Sequence, residues 1–181
     1  MDKALFESEG IFPDQWLRQA ADRGFIDSGE FKIPDANFQP ASLDLRLGAK
    51  AYRLRCSFLP DDKTVREKLD DFVMGELDLR DGAILERNRP YLIPLIEELR
   101  LPQNVYAKTN PRSSTGRLDI FTRVISDRST RFDEISPGYH GKLYLEVASR
   151  SFTIHVQERV SLNQLRLISG KYRSSENSAR D

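Results

Sequence analysis

Residues 110–126 read NPRSSTGRLDIFTRVIS, with Arg112, Ser113, Ser114, Gly116 and Arg117 inside six positions just ahead of an apolar run. Guanidinium forks match phosphate oxygens in pairs, and serine hydroxyls with free backbone amides add neutral donors. Pro111 and Gly116 favour a turn, and a helix starting at the serines would turn its first amides toward an anion. A helix cap beside two surface arginines is the plainer reading of the same residues. A second stretch, residues 134–147, reads EISPGYHGKLYLEV. Pro137-Gly138 and Gly141 predict a tight, hairpin-like turn, and the alternation after it sets Leu143, Leu145 and Val147 on one face of a strand. Tyr144 and Glu146 then share the other face, the solvent face if the sheet is covered on one side only.

Composition narrows what these groups can do. The chain has 181 residues, enough for one domain, and its 28 basic and 28 acidic side chains cancel. No overall field draws a nucleic acid polymer or an anionic membrane, so an anionic ligand has to be met by a local cluster. The apolar runs are too short to span a bilayer, and MDKALFESEG lacks the pattern of a secretory signal, so a cytoplasmic protein is expected. Cys56 is the single cysteine; it cannot form an internal disulfide, and it reads as a packing residue. With only His140 and His155 beside it, a zinc site is not expected; the two read as a surface and a strand histidine.

The elements that hold these residues are mostly short strands. Residues 13–23 predict a helix burying Trp16, Leu17 and Ala20, stopped by Gly24. SLDLRLG alternates Leu43, Leu45 and Leu47 against Asp44 and Arg46 as a half-buried strand, and AKAYRLRCSFL continues in the same manner. PDDKTVREKLDDFVMGEL is a charged insertion in which Val65, Leu69 and Phe72 recur at helical spacing, predicting a short amphipathic helix on the surface with a solvated charged face. Then come ELDLRDG, AILERNRPYLIPLIEEL, VYAKTN, LDIFTRVI, GKLYLEV, FTIHVQ and SLNQLRLI, strand-like and punctuated by Gly, Asn and Pro. Such spacing predicts a mainly β domain, a sandwich or barrel, over residues 1–168, with a polar tail or linker at 169–181.

Taken in order, FQPASLDLRLG, NPRSSTGRL, ISPGYHGKLYLEV and SLNQLRL resemble the motif series of the dCTP deaminase family, within the superfamily of dCTP deaminases and trimeric dUTPases. The resemblance covers roughly residues 38–168. It implies a distorted, dUTPase-like β-barrel of the β-clip kind with a few short helices, assembled as a trimer with active sites between neighbouring barrels. It also implies the reaction: zinc-independent hydrolytic deamination of dCTP to dUTP and ammonia, with Mg²⁺ arriving on the triphosphate.

Carried over by motif, Glu146 is the catalytic glutamate, Arg117 and Ser113 its catalytic companions, and Arg112, Ser113 and Ser114 the phosphate contacts. Arg117 also falls among the substrate-binding residues, Ser136 beside the sugar, and Gln164 in the strand that closes the site. One glutamate can deprotonate the water that attacks C4 and then protonate the departing amine.

The chain departs from the family pattern at three places. Ser136 stands where the family carries an aspartate that is the base of the related dUTPases; a serine cannot serve so, which argues against a dUTP pyrophosphatase or a bifunctional deaminase-pyrophosphatase. FTRVISDRSTRFDEI is longer than its counterpart in the compact enzymes. The Lys171-Tyr172 pair follows the last strand too closely to match the family's closing tail. These features resemble the first half of the tandem-domain members, in which a second dCTP deaminase-like domain follows. A non-catalytic nucleotide-binding half is therefore the alternative function.

Overall fold

Alternating apolar residues set the strands, and the computed structural model describes residues 9–172. The order is β1 (Gly10–Ile11), α1 (Asp14–Asp22), β2 (Ile26–Asp27), a 3-10 turn (Asp35–Asn37), β3 (Phe38–Gln39), β4 (Ser42–Arg46), β5 (Lys50–Leu54), α2 (Val65–Leu69), β6 (Val73–Asp78) and β7 (Ala83–Leu85). It continues with β8 (Tyr91–Arg100), β9 (Val105–Pro111), α3 (Ser113–Arg117), β10 (Ile120–Ser126), β11 (Glu134–Ile135), β12 (His140–Ser149), β13 (Ile154–Val156) and β14 (Ser161–Ser169). No helix of the described residues is long and apolar enough to cross a membrane.

The first sheet runs β11-β9-β14-β4-β3 with β1 added to β14; the second runs β10-β12-β8-β5-β6 with β2 added to β8; β7 and β13 form a separate ribbon. The fold is mainly β with few short helices, as expected. Among the described residues the sheets do not close into one continuous barrel, and the chain passes from the first sheet into the second between β4 and β5 and, through α3, between β9 and β10. Gly48 makes the first of these crossings possible. Its amide donates to the Pro94 carbonyl, and a Cβ there would lie 2.6 Å from that oxygen, inside van der Waals contact.

The main core lies between the sheets and takes Leu43, Leu45, Ile93, Leu145, Val147 and Leu165 from both. α1 adds Leu17 and Ala20, fully buried, with Trp16 packed edge-on against Phe12 and Gly24 ending the helix at φ 74°.

β4 is buried along its whole length, not on one face as its alternation predicts. Its polar residues have partners that the sequence does not reveal. Arg46 donates from Nε to Glu97 Oε1 at 2.6 Å and from its backbone to Oε2 at 2.7 Å, and its remaining nitrogens reach the carbonyls of Phe31 and Lys32. Burial raises the Glu97 carboxyl, against the hydrogen bonds and charge of Arg46.

The charged insertion also differs from its reading. β5 stops at Leu54, so residues 55–60 are loop and Cys56 is exposed instead of packed. α2 opens with a capping box between Thr64 and Glu67 and ends before Phe72. Val65 and Leu69 are buried with Phe58, against Leu92, Ile125 and Tyr144 of the second sheet, and Phe72 stacks on Phe58 at 4.5 Å. Residues 55–72 are therefore a cap, and the face holding Tyr144 and Glu146 is covered rather than solvated. β14 ends at Ser169 and Tyr172 packs on Tyr106 at 5.1 Å; the remainder of the expected tail lies outside the described residues.

Candidate functional site

Glu146 lies on β12 facing away from the leucines, as the alternation predicts, and is 2 % exposed. β10 pairs with β12 in the register Thr122↔Val147, Arg123↔Glu146, Ile125↔Tyr144, which sets Arg123 directly across from it. Arg123 donates through Nε to Glu146 Oε1 at 3.0 Å, and its Nη2 lies 3.0 Å from the same oxygen. Ser57, from the cap, donates to Glu146 Oε2 at 2.5 Å and accepts from Arg123 Nη2 at 2.6 Å. The three side chains close a ring in which both carboxylate oxygens are occupied by donors. A buried carboxylate needs this: charge out of water is tolerated where it is paired and hydrogen-bonded.

The long segment before the Pro-Gly turn secures Arg123 from the other side. Phe132 lies under the guanidinium, 3.6 Å from its carbon to the ring centroid, a cation–π contact. Beside it Asp133, at φ 61°, accepts from Thr109 Oγ1 at 2.7 Å and from the Val124 amide at 2.8 Å, tying β9 to β10. Burial raises the Asp133 carboxyl, opposed by the Val124 and Thr109 hydrogen bonds and by Arg123. On the same covered face burial pushes the Tyr144 phenol up to about 12, helped by Asp127.

Ser113, Ser114 and Arg117 occupy α3, a single turn that begins at the serines. All three are exposed, while Thr115 anchors the turn in the interior. Neither Arg117 nor Ser113 hydrogen-bonds Glu146; within this chain Arg123 and Ser57 do. Arg112 lies at the end of β9, 3.2 Å by Nε from buried Asp44 and 3.3 Å by Nη1 from the Ser161 carbonyl. Gln164, next to Asp44 across the β4 ladder, accepts from Ser42 at 3.0 Å. Burial raises the Asp44 carboxyl and the Arg112 charge opposes it. Arg112, Asp44 and Gln164 thus form one polar group on the first sheet, and Glu146, Arg123 and Ser57 another on the second.

Ser136 is exposed in the connection from β11 to β12, which joins the two sheets instead of forming a hairpin. There Gly138, at φ 68°, donates to the Pro102 carbonyl, and Ser136 lines a cleft with Thr64, Asp127, Arg128 and His140. That cleft is lined by neither Arg117 nor Glu146.

Ser57 and Arg123 are the site residues that sequence reasoning missed. Alternation puts Arg123 on a face with Phe121 and Ile125, but its neighbour on the next strand follows only from the register. Ser57 carries no local signal, since the insertion folds back 89 residues to reach Glu146.

A family model described as the 2'-deoxycytidine 5'-triphosphate deaminase N-terminal domain matches residues 8–171. The chain belongs to that family. A "dCTP deaminase, dUMP-forming" of Methanothermobacter thermautotrophicus is 26 % identical over 145 residues, which cover 77 % of this chain and 68 % of the relative. A "dCTP deaminase" of Natronomonas pharaonis is 28 % identical over 142 residues, covering 77 % and 69 %. Among solved structures, that of 2'-deoxycytidine 5'-triphosphate deaminase from Agrobacterium tumefaciens is similar to this family member with a TM-score of 0.87 and 43 % identity, over 96 % of this chain. The chain spans about half the length of that solved protein, 52 %.

Proposed function

We propose that this domain catalyses, or forms part of the site that catalyses, hydrolytic deamination of dCTP at C4, giving dUTP and ammonia. The observation that carries the reading is Glu146, a carboxylate held on a covered strand face by a guanidinium and a hydroxyl, in a chain of the dCTP deaminase family. It is the group able to handle both protons of the reaction. As the water oxygen bonds to C4, one of its protons passes through the carboxylate to N3. As the C4–N bond breaks, the other passes the same way to the exocyclic nitrogen, which leaves as ammonia and returns the carboxylate.

The triphosphate, bringing its Mg²⁺ as part of the substrate, would meet Arg112, Ser113 and Ser114, whose donors suit phosphate oxygens. Arg112 would exchange part of its pairing with Asp44 for the phosphates. Arg117 and Ser113 would act on the pyrimidine side once a neighbouring barrel, from another copy or from the rest of a longer chain, completes the pocket. Gln164 and Ser136 would border the nucleotide. dUTP and not dUMP is the expected product, because a serine at 136 supplies no base for cleaving the phosphate chain.

The test is direct. The full-length protein with Mg²⁺ is given dCTP, CTP or dUTP while ammonia and pyrophosphate are followed. Ammonia from dCTP alone is expected; no ammonia with retained nucleotide binding would make the domain a binding half. Glu146→Gln keeps the volume, accepts from Arg123 and can donate toward Ser57, so it should fold and bind nucleotide while losing about 10² to 10⁴ in deamination rate. Wild-type turnover in that variant would remove Glu146 from the mechanism.

A further inference from the structure

The ring of Glu146, Arg123 and Ser57 treats the two carboxylate oxygens differently. Oε1 takes both Arg123 contacts, each at 3.0 Å, and the guanidinium making them is pinned against Phe132 at 3.6 Å. Oε2 takes a single contact, the Ser57 hydroxyl at 2.5 Å, from a cap that joins the sheet through apolar packing, this bond, the bond from Arg123 to Ser57 and the Val65 amide on Asp127. One oxygen is tied to a strand of the same sheet, the other to a loop. The arginine side chain is only 25 % exposed, in contrast to the exposed Arg117.

We propose that Arg123 is a positioning residue for the deamination, anchoring Oε1 of Glu146 so that Oε2 is the oxygen that carries the protons. The Ser57 hydroxyl, lying between Oε2 and Arg123 Nη2, occupies the place where a water would be held between a carboxylate acceptor and a guanidinium donor. In the reaction that water, having displaced the Ser57 hydroxyl, loses its first proton to Oε2 as its oxygen bonds to C4, and the proton goes on to N3. The second proton takes the same route to the departing nitrogen. Arg123 gives up no proton and touches no atom of the nucleotide; it fixes where Oε2 points. The charged and hydrogen-bonding groups facing the carboxylate are Arg123 from β10 and Ser57 from the cap, while β8 contributes apolar Leu92 across from Glu146. Asp133 also acts on Arg123, through charge.

This inference rests on the deaminase reading, and the experiment separates the two. In the full-length protein, Arg123→Ala should lower kcat for dCTP by about 10²-fold per folded molecule, the size expected when a reacting group is misplaced by about an ångström. KM should stay within about twofold, because ground-state binding is not what is lost. Guanidinium ion at millimolar concentration, filling the space between Phe132 and Glu146, should restore part of that kcat and leave the wild type unchanged, whereas ammonium should not. A structural role alone would not yield rescue by a soluble guanidinium. Arg123→Lys keeps the charge but loses the fork; it should unfold at the wild-type midpoint with an intermediate kcat, and it serves if the alanine variant fails to fold. Wild-type kcat in either variant, or a raised KM without rescue, overturns the inference while leaving the deaminase reading in place. A wild-type protein that releases no ammonia removes that reading, and this inference with it.

Discussion

Asp133 shows how one buried side chain couples the site to the pH response of the whole domain. Its carboxyl accepts from β9 and β10 and is raised above the ordinary aspartate value by burial. A raised folded-state value means that the native protein holds more proton than the unfolded chain in the window just above pH 4, so this residue's contribution to stability falls as pH rises through that window. Asp44 and Glu97 are shifted the same way and act in the same direction. Asp133→Asn keeps an acceptor for Thr109 and Val124 without the charge. Thermal unfolding followed from pH 4 to 7 should give the variant a flatter dependence than the wild type, with the gap in its favour at the upper end. A variant that loses stability as pH rises by the same amount as the wild type would take Asp133 out of this account.

Among the elements, β4 and β8 rely on a buried ion pair that crosses between the sheets. Arg46 and Glu97 are 4 % and 0 % exposed in their side chains. Removing one partner of such a pair strands the other charge, which costs about 3–5 kcal/mol, whereas replacing both by apolar groups of similar size can be nearly neutral. Arg46→Met should therefore destabilise strongly in urea melts, and Arg46→Met with Glu97→Leu should recover much of the loss. Equal midpoints for the single and double variants would contradict this. The same strands mark the limit of what the sequence makes legible. Period-two alternation correctly assigns Leu43, Leu45, Leu143 and Leu145 to the core and Glu146 to the opposite face. It says nothing about what covers that face, because the cover is an insertion docking over long range and the pairing of Arg123 with Glu146 depends on register. The Arg-Ser-Ser motif is visible because it is local; the ring around Glu146 is assembled from three distant segments and is not. Cys56 departs from its reading as a packing residue because the strand stops at Leu54 and leaves it in an exposed loop.

At the scale of the molecule, the exposed apolar side chains Leu118 and Phe121, 52 % and 43 % exposed, follow directly on the exposed Ser113, Ser114 and Arg117. Phe152 joins them through Asp119, which accepts from the Arg150 amide and the Ser151 hydroxyl. Apolar surface beside exposed polar groups suits the face of a second domain of this kind. The 181-residue chain should therefore self-associate, with a trimer favoured, and any deamination it supports should fall on dilution together with the assembly. Light scattering and specific activity measured over one concentration series test this; a monomer with undiminished activity at every dilution would end the shared-site idea.

The placement of β14 bears on how the domain comes into being during synthesis. It is the last of the described strands, yet it lies in the middle of the first sheet, between β9 and β4, and also receives β1. Until residues 161–169 leave the ribosome, β4 and β9 each present an unpaired edge, and such edges invite pairing with other chains. The second sheet needs no strand later than β12 and can form earlier. Glu146 and Arg123 would then be paired on a finished sheet while Gln164 and the partner strand for Arg112 are still to come. The carboxylate side of the site precedes the phosphate side, and a nascent chain can hold the first without the second.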